Sequence, residues 1–346
     1  NELEDLPSLF LARIRLLCTR VQALRNNGET ARALAVAREI EGVLELLLPG
    51  TAEYDESIMH GTFACALAYA AVGDMQTAHD FSARSVPHAR RLLGKVSGAL
   101  NTISTHGVIT SRFESTAALD QLLNVDVQAG GVFRGPEEFQ MHRVHICRAR
   151  VHMLLRDEIA EENLRNTETA KVSQDLTDVY AKSFALGYLP QAAASSLLLG
   201  ALNTVHDLEI ALNWFSKSIV CAGRARQQET LLSAQSNFAQ LERQKHGVTD
   251  RGTALAVSAL DLMLASLSSE SSPDTSLRMN LLRPAMAQMV CYLANASDGR
   301  AEQTYHTFPS LMPFFTDRSL KILREDRPSH CSVDCLKIRN FDIYAY

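Results

Sequence analysis

The chain is short of the residues that interrupt helices. It holds only 10 prolines and 17 glycines in 346 residues. Gly and Pro cost about 1 and 3 kcal/mol respectively in a helix interior. Long apolar runs are absent too. No stretch approaches the ~18–20 uncharged apolar residues of a membrane-spanning helix, and Val257 to Leu267 is short and contains Ser and Asp. A large charge imbalance is missing: the formal net charge is −5, with 21% charged and 46% hydrophobic residues. Disordered chains have fewer apolar groups and more net charge, so this one is globular. Aromatics are only 6% and the chain is acidic overall. A basic groove interleaved with aromatics, as nucleic acid requires, does not fit.

Catalytic signatures are absent as well. There is no G-x-S-x-G, G-x-x-x-x-G-K-[ST], G-x-G-x-x-G or H-E-x-x-H. Gly130-Gly131…Gly135 lacks the Lys-Ser/Thr end of a phosphate loop and reads as a turn. The carboxylate pairs Asp157-Glu158 and Glu161-Glu162 read as solvated helix surface. Paired knuckles of C-x-x-C type are missing, so His330, Cys331 and Cys335, with His306, make a weak zinc candidate. His142, His145 and Cys147 make a weaker one, because Cys147 leaves the helical face that the two histidines share. No metal and no cofactor are assigned. The seven cysteines are odd in number and mostly far apart, and four lie in apolar helical patterns. That usage predicts a reducing compartment. The first residues, Asn-Glu-Leu-Glu-Asp, are acidic and offer no signal-peptide pattern. The expected location is intracellular, cytoplasmic or nuclear.

What is present is helix. Leucine and alanine, both good helix formers, supply 47 and 43 residues. Apolar residues at Leu9, Phe10, Ile14, Leu17, Val21 and Leu24 recur at spacings of three and four. Further amphipathic helices are expected over 31–48, 57–72, 75–93, 137–156, 163–182, 191–205, 208–224, 227–245, 254–266 and 276–294. Pro87 predicts a kink or short break. Residues 96–116, rich in Ser, Thr and β-branched side chains, read as less regular. Residues 267–276 are a Ser-rich linker or loop, and 277–346 read as C-terminal helices plus an irregular tail packed on the preceding array.

A ladder recurs along the chain. Ala66, Tyr69, Gly73-Asp74 and Ala78 are spaced by three, four and five. Val21, Leu24, Gly28-Glu29 and Ala33 repeat the spacing, as do Leu199, Leu202, His206-Asp207 and Ala211. A small residue on the second helix allows close approach, and a Gly-Asp corner makes the turn and caps the new helix. This ladder resembles the tetratricopeptide repeat, a helix–turn–helix unit, in a long-repeat form, since Gly28 to Gly73 is 45 residues. The resemblance implies an all-α, right-handed superhelical array of antiparallel hairpins over residues 1–266. It also implies a concave face that holds a partner segment. At the first-helix positions stand Phe63, Leu67, Ser196 and Gly200. These favour an apolar segment over the carboxylate clamp of the family's chaperone-binding members.

The candidate partner-binding residues are Phe63 and Tyr69, together with a basic stripe. Arg148, His152 and Arg156 fall four apart on one helical line, and Arg143 lies just before them, with no acid from 141 to 156. Such a stripe suits an acidic peptide or phosphates, or it pairs with the acidic stretch Asp157–Glu162 or with a neighbouring helix. The expected function is a non-catalytic interaction scaffold or adaptor, part of a larger complex. Two alternatives stand beside it: an all-α enzyme or ligand-binding protein with a helix-enclosed site, and the helical regulatory domain of a transcription factor.

Overall fold

The computed structural model describes residues 6–50, 53–93, 95–96, 98–110, 113, 142, 145–146, 149, 162–204, 206–268 and 277–314. Every regular element among them is helical, with no strand. The chain divides between Gln191 and Ala192 into two compact units.

The first unit holds α1 (Leu6–Asn26), α2 (Thr30–Leu44), α3 (Tyr54–Val72), α4 (Met75–Arg91), α5 (Ala99–Thr110) and α6 (Glu162–Ala185). From α1 to α5 each helix packs on the next, and α1 also packs on α3 and α3 on α5. The apolar stripe seen in the sequence of α1 is what makes this possible. Ile14 and Val21 are buried against Ile40 of α2 and Ala66 of α3 in one core. Burying an isoleucine fully stabilises by roughly 1.5–3 kcal/mol. Met59, Ala89, Leu100 and Ile103 form a second core joining α3, α4 and α5.

The helix α7 (Leu189–Asn203) starts at the division. The second unit continues through α8 (Leu208–Ala225), α9 (Gln228–His246), α10 (Asp250–Leu267), α11 (Leu277–Asn295), α12 (Arg300–Thr307) and a closing 3-10 turn, Pro309–Phe314. Again neighbours pack in sequence from α8 to α12, and α9 also reaches α11. The core is built on Leu260, Met263, Met286, Val290 and the fully buried Tyr292. Gly200 of α7 is there for contact: a Cβ would stand 2.7 Å from the Phe215 ring of α8.

The turns repeat more exactly than the side chains do. At Gly28 the amide bonds to Arg25 C=O, Glu29 N–H to Leu24 C=O, and Thr30 N–H to Gly28 C=O. The same three offsets recur at Gly73 and at Gly187. Arg226 and Ser297 keep the first two. All five residues have positive φ, from 54° to 92°. This is the Schellman helix stop, in which a left-handed residue turns two amides onto otherwise orphaned carbonyls. It skips some junctions, and Ser297, between α11 and α12, does not keep step with the others. Gly28 and Gly73 have it, while the nine residues between Leu44 and Tyr54 form a longer connection. Gly187 and Arg226 have it, while among the described residues of 203–207 none is left-handed.

The three ladders therefore differ in kind. Ala33, Ala78 and Ala211 are all fully buried, as a closely packed second helix requires. The corner at His206-Asp207, however, is not a left-handed turn. Asp207 N–H bonds to Asn203 C=O, and the Asp207 carboxylate caps Glu209 and Ile210 N–H at 2.9 and 3.1 Å. The turn that does repeat is the one at Gly187, where Tyr180 and Ser183 occupy the earlier positions of the ladder.

Two local expectations are corrected. Pro87 does not break α4, which runs from Met75 to Arg91 around it. The carbonyl that loses its partner is on Ala83, one bond out of a helix capped by Asp74 onto Thr77 N–H at 3.1 Å. Within residues 96–116, Ala99–Thr110 is a regular helix. Its hydroxyls do not compete with the helix but back-bond to it, Ser104 onto Leu100 C=O at 2.8 Å and Thr102 onto Gly98 C=O at 3.1 Å. Ten of its twelve residues are buried, so packing overrides propensity.

Candidate functional site

Three helices of the first unit meet along one line of α3. Glu56, His60 and Phe63 are spaced by four and three, on one face. From α1, Arg15 pairs with Glu56, and the Cys18 thiol donates to His60 C=O at 3.3 Å. From the start of α5, Gly98 lies so close that a Cβ there would stand 2.8 Å from the His60 ring. Burial lowers the His60 pKa, and Glu56, 3.4 Å from its Nε2, works against that. Burial raises the Cys18 thiol to about 12, so it stays protonated and unreactive. Phe63 is half-buried on this face, and Leu67 below it is buried.

Tyr69 is used differently. Its ring stacks on Phe81 of α4, with centroids 5.6 Å apart and planes 10° from parallel. Its hydroxyl donates to Glu41 of α2 at 2.9 Å. Burial and that carboxylate raise its pKa. Tyr69 thus joins α2, α3 and α4, whereas Phe63 falls on the line of α3 that carries Glu56 and His60. Arg143, Arg148, His152 and Arg156 lie outside the described residues, as do Cys147, His330, Cys331 and Cys335. His142 is buried, with Nδ1 2.9 Å from Ser183 Oγ. His306 lies 3.7 Å from Glu302 on exposed α12 surface. Among the described residues no group of three His, Cys, Asp or Glu could hold a metal ion. No helix among them is long and apolar enough to cross a membrane.

Two arrangements missed in the sequence contain groups that could do chemistry elsewhere. The first is Ser82 of α4, whose Oγ lies 2.7 Å from His106 Nδ1 of α5. A nucleophilic serine needs a base that a third group orients. Among the described residues the hydrogen-bond partners of His106 are hydroxyls, Ser82 and Thr110, the latter at 3.2 Å, and the His79 ring lies 5.7 Å from its own. Burial, then the charges of His79 and Arg90, hold its pKa down to about 4. The pair is buried in the α4–α5 seam, with His106 7% exposed, and no substrate reaches it. The second is Asp55, at the N-terminus of α3. It accepts from Arg91 Nε and Nη2 at 3.0 and 2.7 Å and lies 2.7 Å from His88 Nδ1. Arg91 is the main reason its carboxyl stays below the ordinary range. This clamp ties the first turn of α3 to the last turn of α4 and complements both helix dipoles.

A scan against protein-family models matches no family, and a search of the curated proteins finds no match.

Proposed function

We propose that the chain is a helical-repeat protein of the tetratricopeptide kind: a right-handed superhelical scaffold that holds a partner segment and catalyses nothing. One observation carries this. The same left-handed helix stop closes junctions at Gly28 and Gly73, 45 residues apart, and at Gly187 and Arg226, 39 apart, with a fifth at Ser297 out of that step. With it go the packing of α1 on α3 and of α3 on α5, the pattern by which first helices of successive hairpins line a shared face. Phe63 stands on that face. The partner is a protein or peptide within a larger complex. The basic residues Arg143, Arg148, His152 and Arg156 add a place for an acidic part of it.

The test is affinity capture from the native source with the full chain and with Phe63→Glu, quantified by mass spectrometry. A partner recovered near stoichiometrically by the native chain should fall at least tenfold with Phe63→Glu, at unchanged helicity by circular dichroism. Equal recovery by the two chains overturns the assignment of this face. A copurifying small molecule with turnover overturns the scaffold.

A further inference from the structure

Between α8, α9 and α10 of the second unit lies an open cleft of about 590 Å³. Its exposed lining is mostly polar, with Phe238 and Leu212 buried beneath it. At its edge Ile210 is 45% exposed. The cleft wall carries two charges that are not spent on each other. Arg251 lies flat over Phe238, its guanidinium carbon 4.3 Å from the ring centroid, and Nη2 donates to Ser216 Oγ at 2.9 Å. Ring and hydroxyl together fix the guanidinium plane at the cleft wall. Glu242 accepts from Thr249 Oγ1 at 3.2 Å through Oε1, leaving Oε2 open. Among the described residues neither charge has an opposite charge within 4 Å. The other cleft acid, Glu209, is already paired with Lys245. A held guanidinium and a held carboxylate thus stand in one cleft beside the exposed Ile210, with no salt bridge between them.

We infer that this cleft binds a short peptide segment with one acidic and one basic side chain around an apolar residue. The acid meets Arg251, the base meets Glu242, and the apolar side chain covers Ile210. A segment with one sign of charge would satisfy one wall and repel the other, so the complementarity selects a mixed pair. The site extends the proposed scaffold role to a second place, separate from Phe63.

Fluorescence anisotropy with labelled acetyl-Glu-Leu-Lys-amide and acetyl-Lys-Leu-Glu-amide tests it on the full chain at low salt. The cleft walls are fixed, so one order should bind several-fold tighter than the other. In that peptide, Glu→Gln or Lys→Gln should each weaken binding about two- to fivefold, the range of a partly exposed ion pair. Arg251→Gln should abolish the effect of the peptide's Glu→Gln, and Glu242→Gln that of its Lys→Gln. Phe63→Glu should change neither, which separates this site from the partner face. Absence of binding at millimolar peptide, equal binding of both orders, or effects that add without coupling overturns the inference. Competition by free leucine, with both charges on one carbon, overturns the segment in favour of an amino acid.

Discussion

Protonating His106 should loosen the seam between α4 and α5. Its ring is 7% exposed and faces Ser82 and His79 of α4, Thr110 of its own helix, and the charge of Arg90. None of these is a carboxylate. The folded pKa is held down to about 4, against about 6.5 for an unfolded histidine. The unfolded chain therefore binds the proton first as the pH falls. The contribution of neutral His106 is whole above about pH 6.5. By linkage it falls by about 2 kcal/mol at pH 5, and by about 3 kcal/mol below pH 4. The assay is amide hydrogen exchange of α5 in the native chain and in His106→Asn, corrected for intrinsic rates, from pH 7.5 to 4.5. The native protection advantage should shrink by about 2 kcal/mol by pH 5. Asp55, whose carboxyl Arg91 holds low, titrates in both chains and cancels. An NMR titration gives the direct value. An imidazole titrating near 6.5, or a protection gap constant with pH, would refute this buried environment without a carboxylate.

Two glycine substitutions should move stability in opposite directions. Gly73 sits at φ 92°, so Gly73→Ala should cost about 1–2 kcal/mol in chemical denaturation. Gly223 lies inside α8 with nothing within 4 Å of a Cβ, so Gly223→Ala should stabilise by up to about 1 kcal/mol. Gly200→Ala meets the Phe215 ring at 2.7 Å and should cost about 1–3 kcal/mol. Adding Phe215→Leu should recover part of that loss, whereas two additive losses would show that the contact is not the cause.

The helices were readable because leucine and alanine keep a strict three-and-four spacing, and the Gly28 and Gly73 turns because only glycine takes that conformation cheaply. The turns at Arg226 and Ser297 were not. Both residues enter the left-handed region without the residue type that announces it. Gly187 is a glycine, but Tyr180 and Ser183 before it hide the ladder. The Leu199–Ala211 ladder shows the opposite failure: the spacing matches, while the corner is an ordinary aspartate cap. Helix α5 escaped because Thr, Ser and β-branched residues lower local propensity, and its burial depends on partners distant in sequence. Of the candidate site, Phe63 and Tyr69 looked alike on the ladder. They differ only once Glu41 and Phe81, 28 residues before and 12 after Tyr69, come to it. The cleft at Arg251 and Glu242 draws on three helices at mixed spacings and has no sequence signature at all.

The central claim is that a partner segment lies along the face of α3 that carries Phe63. A photoreactive benzoylphenylalanine placed at position 63 in the full chain tests it directly, with the same group at exposed Gln76 on α4 as the control. On irradiation in the native source, position 63 should yield one discrete crosslinked protein and position 76 none. Equal crosslinking from both positions, or none from position 63 while the complex is intact, would contradict it.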